Sequence, residues 1–156
     1  MVCSGLEVLL HERLDLVAGR RLGLASHAGA VLPDLTGAPA ALLAAGLQVR
    51  ALFRAEHGFF GAAAAGEAGR AGCDRRTGLP VHSLYGEQKE PTAAMLAGLD
   101  ALLVDFQDVG ARFYTYISTL LALLRGAARA GLLVLVLDRP NPLNGERLEG
   151  PLLAPG

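Results

Sequence analysis

The chain has 156 residues, which is the size of a single domain. Hydrophobic residues make up 52% of it and the mean hydropathy is +0.38, so a large apolar core is expected and disorder is not. A net charge of −1, an aromatic content of 5% and the absence of tryptophan argue against nucleic acid as a partner, because the chain offers neither a basic surface nor a stacking platform.

The first residues predict no export signal. Residues 1–15 lack a basic start, and Glu7 and His11 interrupt their apolar part. The longest apolar runs, at 101–104 and 132–137, are far shorter than the roughly 20 residues of a spanning helix, so no membrane insertion is expected. The location is therefore unknown, with the cytoplasm as the default. Cys3 and Cys73 have no metal-ligand spacing and are expected to be free thiols.

The predicted elements alternate between short buried strands and helices. Strand runs are apolar without alternation, which is typical of strands covered on both faces, and the longer helical segments stop at glycines. In chain order we expect a short helix within 7–16, a strand at 22–25, a helix at 36–45, a strand at 49–53, a short strand at 81–84, a helix at 92–96, a strand at 101–104, a helix at 113–130 and a strand at 132–137. This pattern predicts one three-layer α/β domain over 1–156, with a mostly parallel sheet of about five strands.

Polar residues follow each of the four main strand runs. Because the carboxyl ends of parallel strands open onto one rim, where ligands bind, these residues are expected to share one edge of the sheet. They are Ser26 and His27, Glu56 and His57, Asp105 and Asp108, and Asp138. The sequence thus predicts a site at this rim without naming its reaction.

Glu56 and His57 follow the second main run, within a segment that contains Gly58 and Gly61. A carboxylate on a turn after a buried strand can be partly desolvated, which raises its pKa and suits it to general-acid catalysis. The alternative is structural, with Glu56 capping a helix or pairing with Arg54. His57 could orient Glu56, contact substrate, or be a structural histidine.

Residues 105–116 carry two carboxylates, an arginine and two tyrosines ahead of a predicted helix. Asp108 could be a helix cap, since acidic residues are favoured near a helix amino terminus. Capping does not require Gln107, Arg112 or Tyr114, however, and Arg112 is suited to a bidentate grip on a ligand carboxylate or on Asp108. We expect at least one of Asp105 and Asp108 to be functional.

The last strand run leads into a loop held by Pro140 and Pro142. The two prolines restrict the backbone, so the loop can present Asp138, Arg139 and Asn141 in fixed orientations. The alternative is a plain exit from the strand with an Asp138–Arg139 pair.

Several common signatures are absent from the sequence. It contains no GxGxxG, GxxxxGK[ST] or GxSxG motif, and its histidines have no metal-binding spacing. No cofactor and no metal are therefore expected. The remaining carboxylates, arginines, tyrosines and asparagine suit acid–base chemistry on a polar substrate such as a sugar.

Four segments together resemble the DUF1343 family of NamZ-like exo-β-N-acetylmuramidases. They are residues 51–59 (ALFRAEHGF), 77–86 (TGLPVHSLYG), 105–116 (DFQDVGARFYTY) and 138–142 (DRPNP). The resemblance runs from about Gly5 to Pro151. It implies a Rossmann-like amino-terminal domain of a glycoside hydrolase that releases N-acetylmuramic acid from the non-reducing ends of peptidoglycan fragments.

The resemblance also implies roles for residues in the matching motifs. Glu56 is similar in position to the leading catalytic acid, and the step is expected to be completed by a second carboxylate, with Asp105 and Asp108 as candidates, or by an activated water. The other rim residues are expected to bind the saccharide, and an arginine there would suit its lactyl carboxylate: His57, Arg112, Tyr114, Asp138, Arg139, Asn141, Ser26 and His27.

The resemblance implies a second domain after Pro151, and we expect that domain to be missing from this chain. This leaves a truncated, catalytically silent sugar-binding module as the alternative function. An unrelated nucleotide-binding domain is disfavoured by the missing glycine motifs. A homodimer stays open as an assembly.

Overall fold

The computed structural model describes residues 2–55 and 72–152. Its elements are α1 (Gly5–Glu12), a 3-10 turn (Leu14–Leu16), β1 (Arg21–Ser26), α2 (Ala38–Ala44), β2 (Gln48–Arg54), β3 (Gly72–Cys73), β4 (Pro80–Ser83), α3 (Ala93–Leu96), β5 (Ala101–Asp105), α4 (Tyr116–Ala130) and β6 (Leu133–Val136). Every predicted helix and strand is present, and the bounds shift by one to three residues at most ends.

The strands form one sheet in the order β3-β4-β2-β1-β5-β6. Neighbours from β4 to β6 are parallel, and β3 pairs antiparallel with β4. The predicted α/β fold with a mostly parallel sheet is confirmed, with six strands where about five were expected. The additional strand, β3, has two exposed residues, which is too short for an apolar pattern to mark it.

Each face of the sheet is covered by its own pair of helices. Leucines of α1 and α2 pack with Leu22, Leu24 and Leu103 on one face. Residues of α3 and α4 pack with Phe53 and Val104 on the other face. Because successive strand residues point to opposite faces, the odd and even positions of β1 and β5 divide between these two cores, which explains their unbroken apolar sequence.

The longest helix begins later than the sequence predicts. Tyr114 N donates to Ala111 O at 2.9 Å in a turn, and the Phe113 side chain is 87% exposed, so α4 begins only at Tyr116. The helix ends as expected at Gly131, whose φ of 66° is in the left-handed region that favours glycine. The delayed start leaves residues 106–115 free to form part of the rim.

The described ranges, 2–55 and 72–152, contain neither a membrane-spanning helix nor a metal cluster. No helix there is long and apolar enough to cross a bilayer. No group of three or more histidine, cysteine or acidic residues there could hold a metal ion. Cys3 and Cys73 are free and exposed.

Candidate functional site

A row of polar side chains crosses the sheet at its carboxyl end. Ser26, the last residue of β1, is in register with Arg54 on one side and with Asp105 on the other, and Arg54 is in register with Ser83. Residues in register on parallel strands point to the same face, and this row continues the positions that pack against α1 and α2. Four strands therefore place polar groups side by side at the predicted rim.

The central contact of the rim is an ion pair between Asp105 and Arg139. Arg139 Nε donates to Asp105 Oδ1 at 2.5 Å and Arg139 Nη2 donates to Asp105 Oδ2 at 3.0 Å. The Arg139 and Asp105 side chains are only 9% and 0% exposed. Arg139 Nη1 also donates to Val31 O at 3.2 Å. The Arg139 guanidinium, which follows β6, thus binds the last residue of β5 and the segment that follows β1.

This pair replaces the Asp138–Arg139 side-chain pair that the sequence left open. Asp138 Oδ1 instead accepts a hydrogen bond from the backbone N–H of Arg139 at 2.9 Å. The Arg139 side chain reaches the strand next to its own, because Asp105 is the buried carboxylate that needs a cation.

His27 lies beside the ion pair and packs against aromatic rings. Its ring centroid is 5.1 Å from that of Tyr116 and 6.4 Å from that of Phe106. Burial lowers the pKa of His27, an effect that the Asp105 carboxylate opposes and the Arg139 charge reinforces. The imidazole is therefore neutral near pH 7.

Two backbone N–H groups point at the His27 ring. The amide of Gln107 lies 3.1 Å from Nε2 and that of Gly29 lies 3.2 Å from Nδ1. A neutral imidazole has one acceptor nitrogen, so one of these two contacts is a hydrogen bond in each tautomer, and an imidazolium could accept neither. This geometry disfavours protonation of His27 in the same direction as burial does.

The Gln107 side chain fastens two rim loops together. Its amide nitrogen donates to Pro140 O at 2.7 Å and to Asp108 O at 2.9 Å. The proline-containing loop is therefore held against the segment after β5. The same two segments also approach closely at Gly110, where a Cβ would lie 2.8 Å from the side-chain amide of Asn141.

Asp108 is not a helix cap. Its Oδ1 accepts a hydrogen bond from Gly110 N at 2.6 Å, and the N-cap of α4 is Thr115. Asp108 and Asp138 instead line one small cavity of about 180 Å³, together with Phe106 and Tyr116. The two acidic residues thus share one concave surface, a placement that suits acid–base chemistry.

The hydroxyl of Ser26 is fully buried and has no hydrogen-bond partner in the described part of the chain. A buried polar group without a partner costs free energy, roughly 1–3 kcal/mol. Ser26 lies between Arg54 and Asp105 in the polar row, so this energetic cost arises at the rim itself.

The structure brings most of the predicted site residues together. Asp105 pairs with Arg139, Gln107 contacts both His27 and Asp108, and Ser26, Asp138, Asn141 and Tyr114 lie nearby; the Tyr114 ring lies 4.6 Å from that of Tyr116. Arg112 is exposed and makes no hydrogen bond or ion pair with any other described residue. Glu56 and His57 lie outside the described residues.

No site role was predicted from the sequence for two contributors, Gln107 and Tyr116. Both lie inside the 105–116 segment that was singled out, but neither has a charge that would mark it. Gln107 is identified by its two carbonyl contacts and Tyr116 by its ring contact with His27. Dense polar and aromatic composition at the end of a buried strand was the available signal.

The comparisons with known proteins point to one family. The family model described as "Exo-beta-N-acetylmuramidase NamZ, N-terminal" matches residues 22–156. The chain is 41% identical over 155 residues to the "Peptidoglycan beta-N-acetylmuramidase NamZ" of Bacillus subtilis (strain 168), covering 99% of this chain and 37% of that protein.

Two crystal structures of DUF1343 family proteins from Bacteroides fragilis NCTC 9343 share the fold. The first has a TM-score of 0.85 and 38% identity, covering 94% of this chain and 37% of the other. The second has a TM-score of 0.73 and 32% identity, covering 89% of this chain and 35% of the other. The chain therefore spans a little over a third of the length of these relatives.

Proposed function

We propose that this chain, which belongs to the NamZ family through the amino-terminal domain of that family, contributes the site of an exo-acting glycoside hydrolase. The reaction would release N-acetylmuramic acid from the non-reducing ends of peptidoglycan fragments during cell-wall turnover. The observation that carries the proposal is the convergence of Asp105, Arg139 and His27 from three strand ends on one rim. The name of the Bacillus subtilis relative supports the substrate class.

Glycoside hydrolysis commonly uses two carboxyl groups, one of which protonates the leaving oxygen. We assign the acid to Glu56, which comes two residues after Arg54, the last residue of β2. For the second carboxylate we favour Asp108 over Asp105. Asp108 lines a cavity, whereas both oxygens of Asp105 are bound to a buried guanidinium. Asp105 is better suited to hold the rim in place.

Recognition of the lactyl carboxylate falls to Arg112 in this scheme. Arg139 has its charge balanced by Asp105, so a second anion there would compete with an existing bidentate pair. Arg112 is exposed and unpaired with respect to the described residues, on the same 106–115 segment as Asp108. Its planar guanidinium can grip a carboxylate through two parallel hydrogen bonds.

The test is release of N-acetylmuramic acid from a chromogenic muramic acid glycoside by this chain and by Glu56→Gln. We expect the native chain to release the sugar and the variant to lose release, because an amide of similar shape is not acidic and cannot transfer a proton to the leaving oxygen. Circular dichroism and thermal unfolding check that the variant is folded. Turnover close to native in Glu56→Gln would remove Glu56 from the acid role.

The same assay separates the enzyme from the alternative of a silent sugar-binding module. Binding of muramic acid saccharides is measured in parallel by calorimetry. Binding without any release would favour the module. If the chain neither binds nor releases the sugar, both assignments are contradicted.

A further inference from the structure

A second cavity opens on the α4 side of the same rim and is not used by the proposed reaction. Its volume is about 350 Å³, which lies within the range of small-ligand pockets. It lies between the segment that follows β4 and the first turns of α4. Leu84 and Ala122 form an apolar floor, and both are buried.

Polar and charged groups surround this floor. Tyr85, Thr115 and Ser118 place hydroxyl groups around the cavity, and Lys89 and Arg125 place cations there. A buried apolar base with a few converging polar groups is typical of a ligand site. The aromatic ring of Tyr85 can pack on the C–H face of a sugar, and the exposed Ser118 side chain can exchange hydrogen bonds with it.

The charge around the cavity is positive. Glu90 is bound by Arg129, at 2.7 Å from Arg129 Nη2 to Oε2, and lies 3.9 Å from Arg125. Lys89 is exposed and makes no ion pair within the described ranges. Among the described residues that line the cavity, Lys89 and Arg125 outnumber Glu90, and Arg129 binds Glu90 from outside the lining, so the net charge is positive and favours an anionic ligand.

The cavity adjoins the rim through direct contacts. Leu84 N donates to Arg54 O at 2.9 Å, so the cavity floor begins where β2 ends. Thr115 lies between Tyr114 and Tyr116, and the Tyr116 ring contacts His27. A chain of sugars bound at the rim therefore has a neighbouring surface for a second unit.

We propose that this cavity is an extension subsite for a carboxylate-bearing saccharide unit beyond the one that is released. The assignment rests on the proposed function, because muramic acid saccharides repeat a carboxylate along the glycan. Lys89 recognises the carboxylate and Tyr85 supports the sugar ring. Neutral saccharides of equal length lack the group that Lys89 would bind.

Calorimetry on this chain tests the subsite with three probes: a muramic acid monosaccharide, a longer fragment with two muramic acid units, and an uncharged N-acetylglucosamine oligomer of the same length. We expect the longer fragment to bind more tightly than the other two. Lys89→Ala should weaken its binding about tenfold, the equivalent of one charge-assisted hydrogen bond, and leave monosaccharide binding unchanged.

Two matched controls separate the cavity from general charge and folding effects. Arg20→Ala removes the same charge from an exposed position at the opposite end of the sheet and should change nothing. Ser118→Tyr fills the cavity from an exposed position of α4 and should also weaken the longer fragment. Ala128→Tyr, on the same helix but away from the cavity, should not.

The outcomes distinguish the subsite from the function on which it rests. If no muramic acid saccharide binds, the proposed function fails. If the monosaccharide binds while the longer fragment gains no affinity, or loses none in Lys89→Ala and Ser118→Tyr, the subsite is overturned and the function stands. Equal weakening of both saccharides in Lys89→Ala would also overturn it, by placing Lys89 at the primary site.

Discussion

Two arginine–aspartate pairs connect segments at opposite ends of this sheet, and they differ mainly in burial. At the amino end, Arg21 Nε and Nη2 donate to Asp100 at 3.0 and 2.8 Å, and the two side chains are 50% and 35% exposed. At the carboxyl end, Arg139 makes an equivalent two-pronged contact with Asp105, and these side chains are 9% and 0% exposed.

The comparison shows that similar geometry has different consequences in different surroundings. Water can take over both partners of the exposed pair, so its loss costs little. Water cannot reach Asp105, so each partner of the buried pair depends on the other for compensation. Within the described part of the chain, the rim therefore depends on the Asp105–Arg139 ion pair, which also fixes the Val31 backbone, while the amino end of the sheet has no such dependence.

The largest expected effect is from Asp105→Asn. The substitution keeps the shape of the side chain but leaves the buried Arg139 charge without compensation, which should lower the free energy of unfolding by about 3–5 kcal/mol. Urea unfolding followed by circular dichroism measures it.

The matched control replaces both partners, as Asp105→Leu with Arg139→Met. Removing both charges should cost less than removing one, because no unpaired ion is left buried. A double variant less stable than Asp105→Asn would contradict the importance assigned to charge compensation at the rim.

An intermediate effect is expected from pH. Burial lowers the pKa of His27 and of His82 below the ordinary value of 6.5. Near and below pH 6.5 the two histidines are protonated in the unfolded chain but still largely neutral in the folded chain, so stability should fall as pH drops from 7 towards 5. The slope is at most about 1.4 kcal/mol per pH unit for each histidine.

The exposed pair responds in a different pH range. Hydrogen bonds from Arg21 lower the pKa of Asp100 far below its ordinary value. The contribution of Asp100 to stability is therefore complete above about pH 4 and is lost only as the solution becomes strongly acidic.

Unfolding of His27→Gln and His82→Gln between pH 7 and 5 tests the assignment to the two histidines, since each substitution should reduce the dependence of stability on pH. If His27→Gln leaves the dependence of stability on pH unchanged, His27 does not contribute to it.

The smallest effect is expected from Asp100→Asn. The substitution removes the charge of an exposed pair, and water solvates the released Arg21 guanidinium, so the loss of stability should be slight and should shrink as salt is added. Unfolding at low and high salt measures it. A loss of stability comparable to that of Asp105→Asn would contradict the claim that burial makes the two ion pairs differ in their importance for stability.

The positions of the strands were predictable because a strand covered on both faces must be apolar throughout. The runs at 22–25, 49–53, 101–104 and 132–137 each became a parallel strand. The start of α4 was less predictable, since residues 113–115 are compatible with a helix but form a turn instead. Local preference is weak at such boundaries, where loop contacts decide.

The site was predictable as a place and less so as a set of contacts. Strand ends located Ser26, Asp105, Asp108 and Asp138 at one rim. The partner of Arg139 was not apparent, because its neighbour in sequence, Asp138, is also a carboxylate. The roles of Gln107 and Tyr116 depend on loops that meet only in the folded chain.

The sequence by itself determined the α/β architecture, the direction of the main strands and the edge at which polar residues gather, because all three follow from local apolar patterns and from the handedness of crossovers. Only the tertiary structure decided that Arg139 pairs with Asp105, 34 residues away, and that His27 is buried against Tyr116. Burial and charge compensation depend on residues that are distant in the sequence and come into contact only when the chain folds.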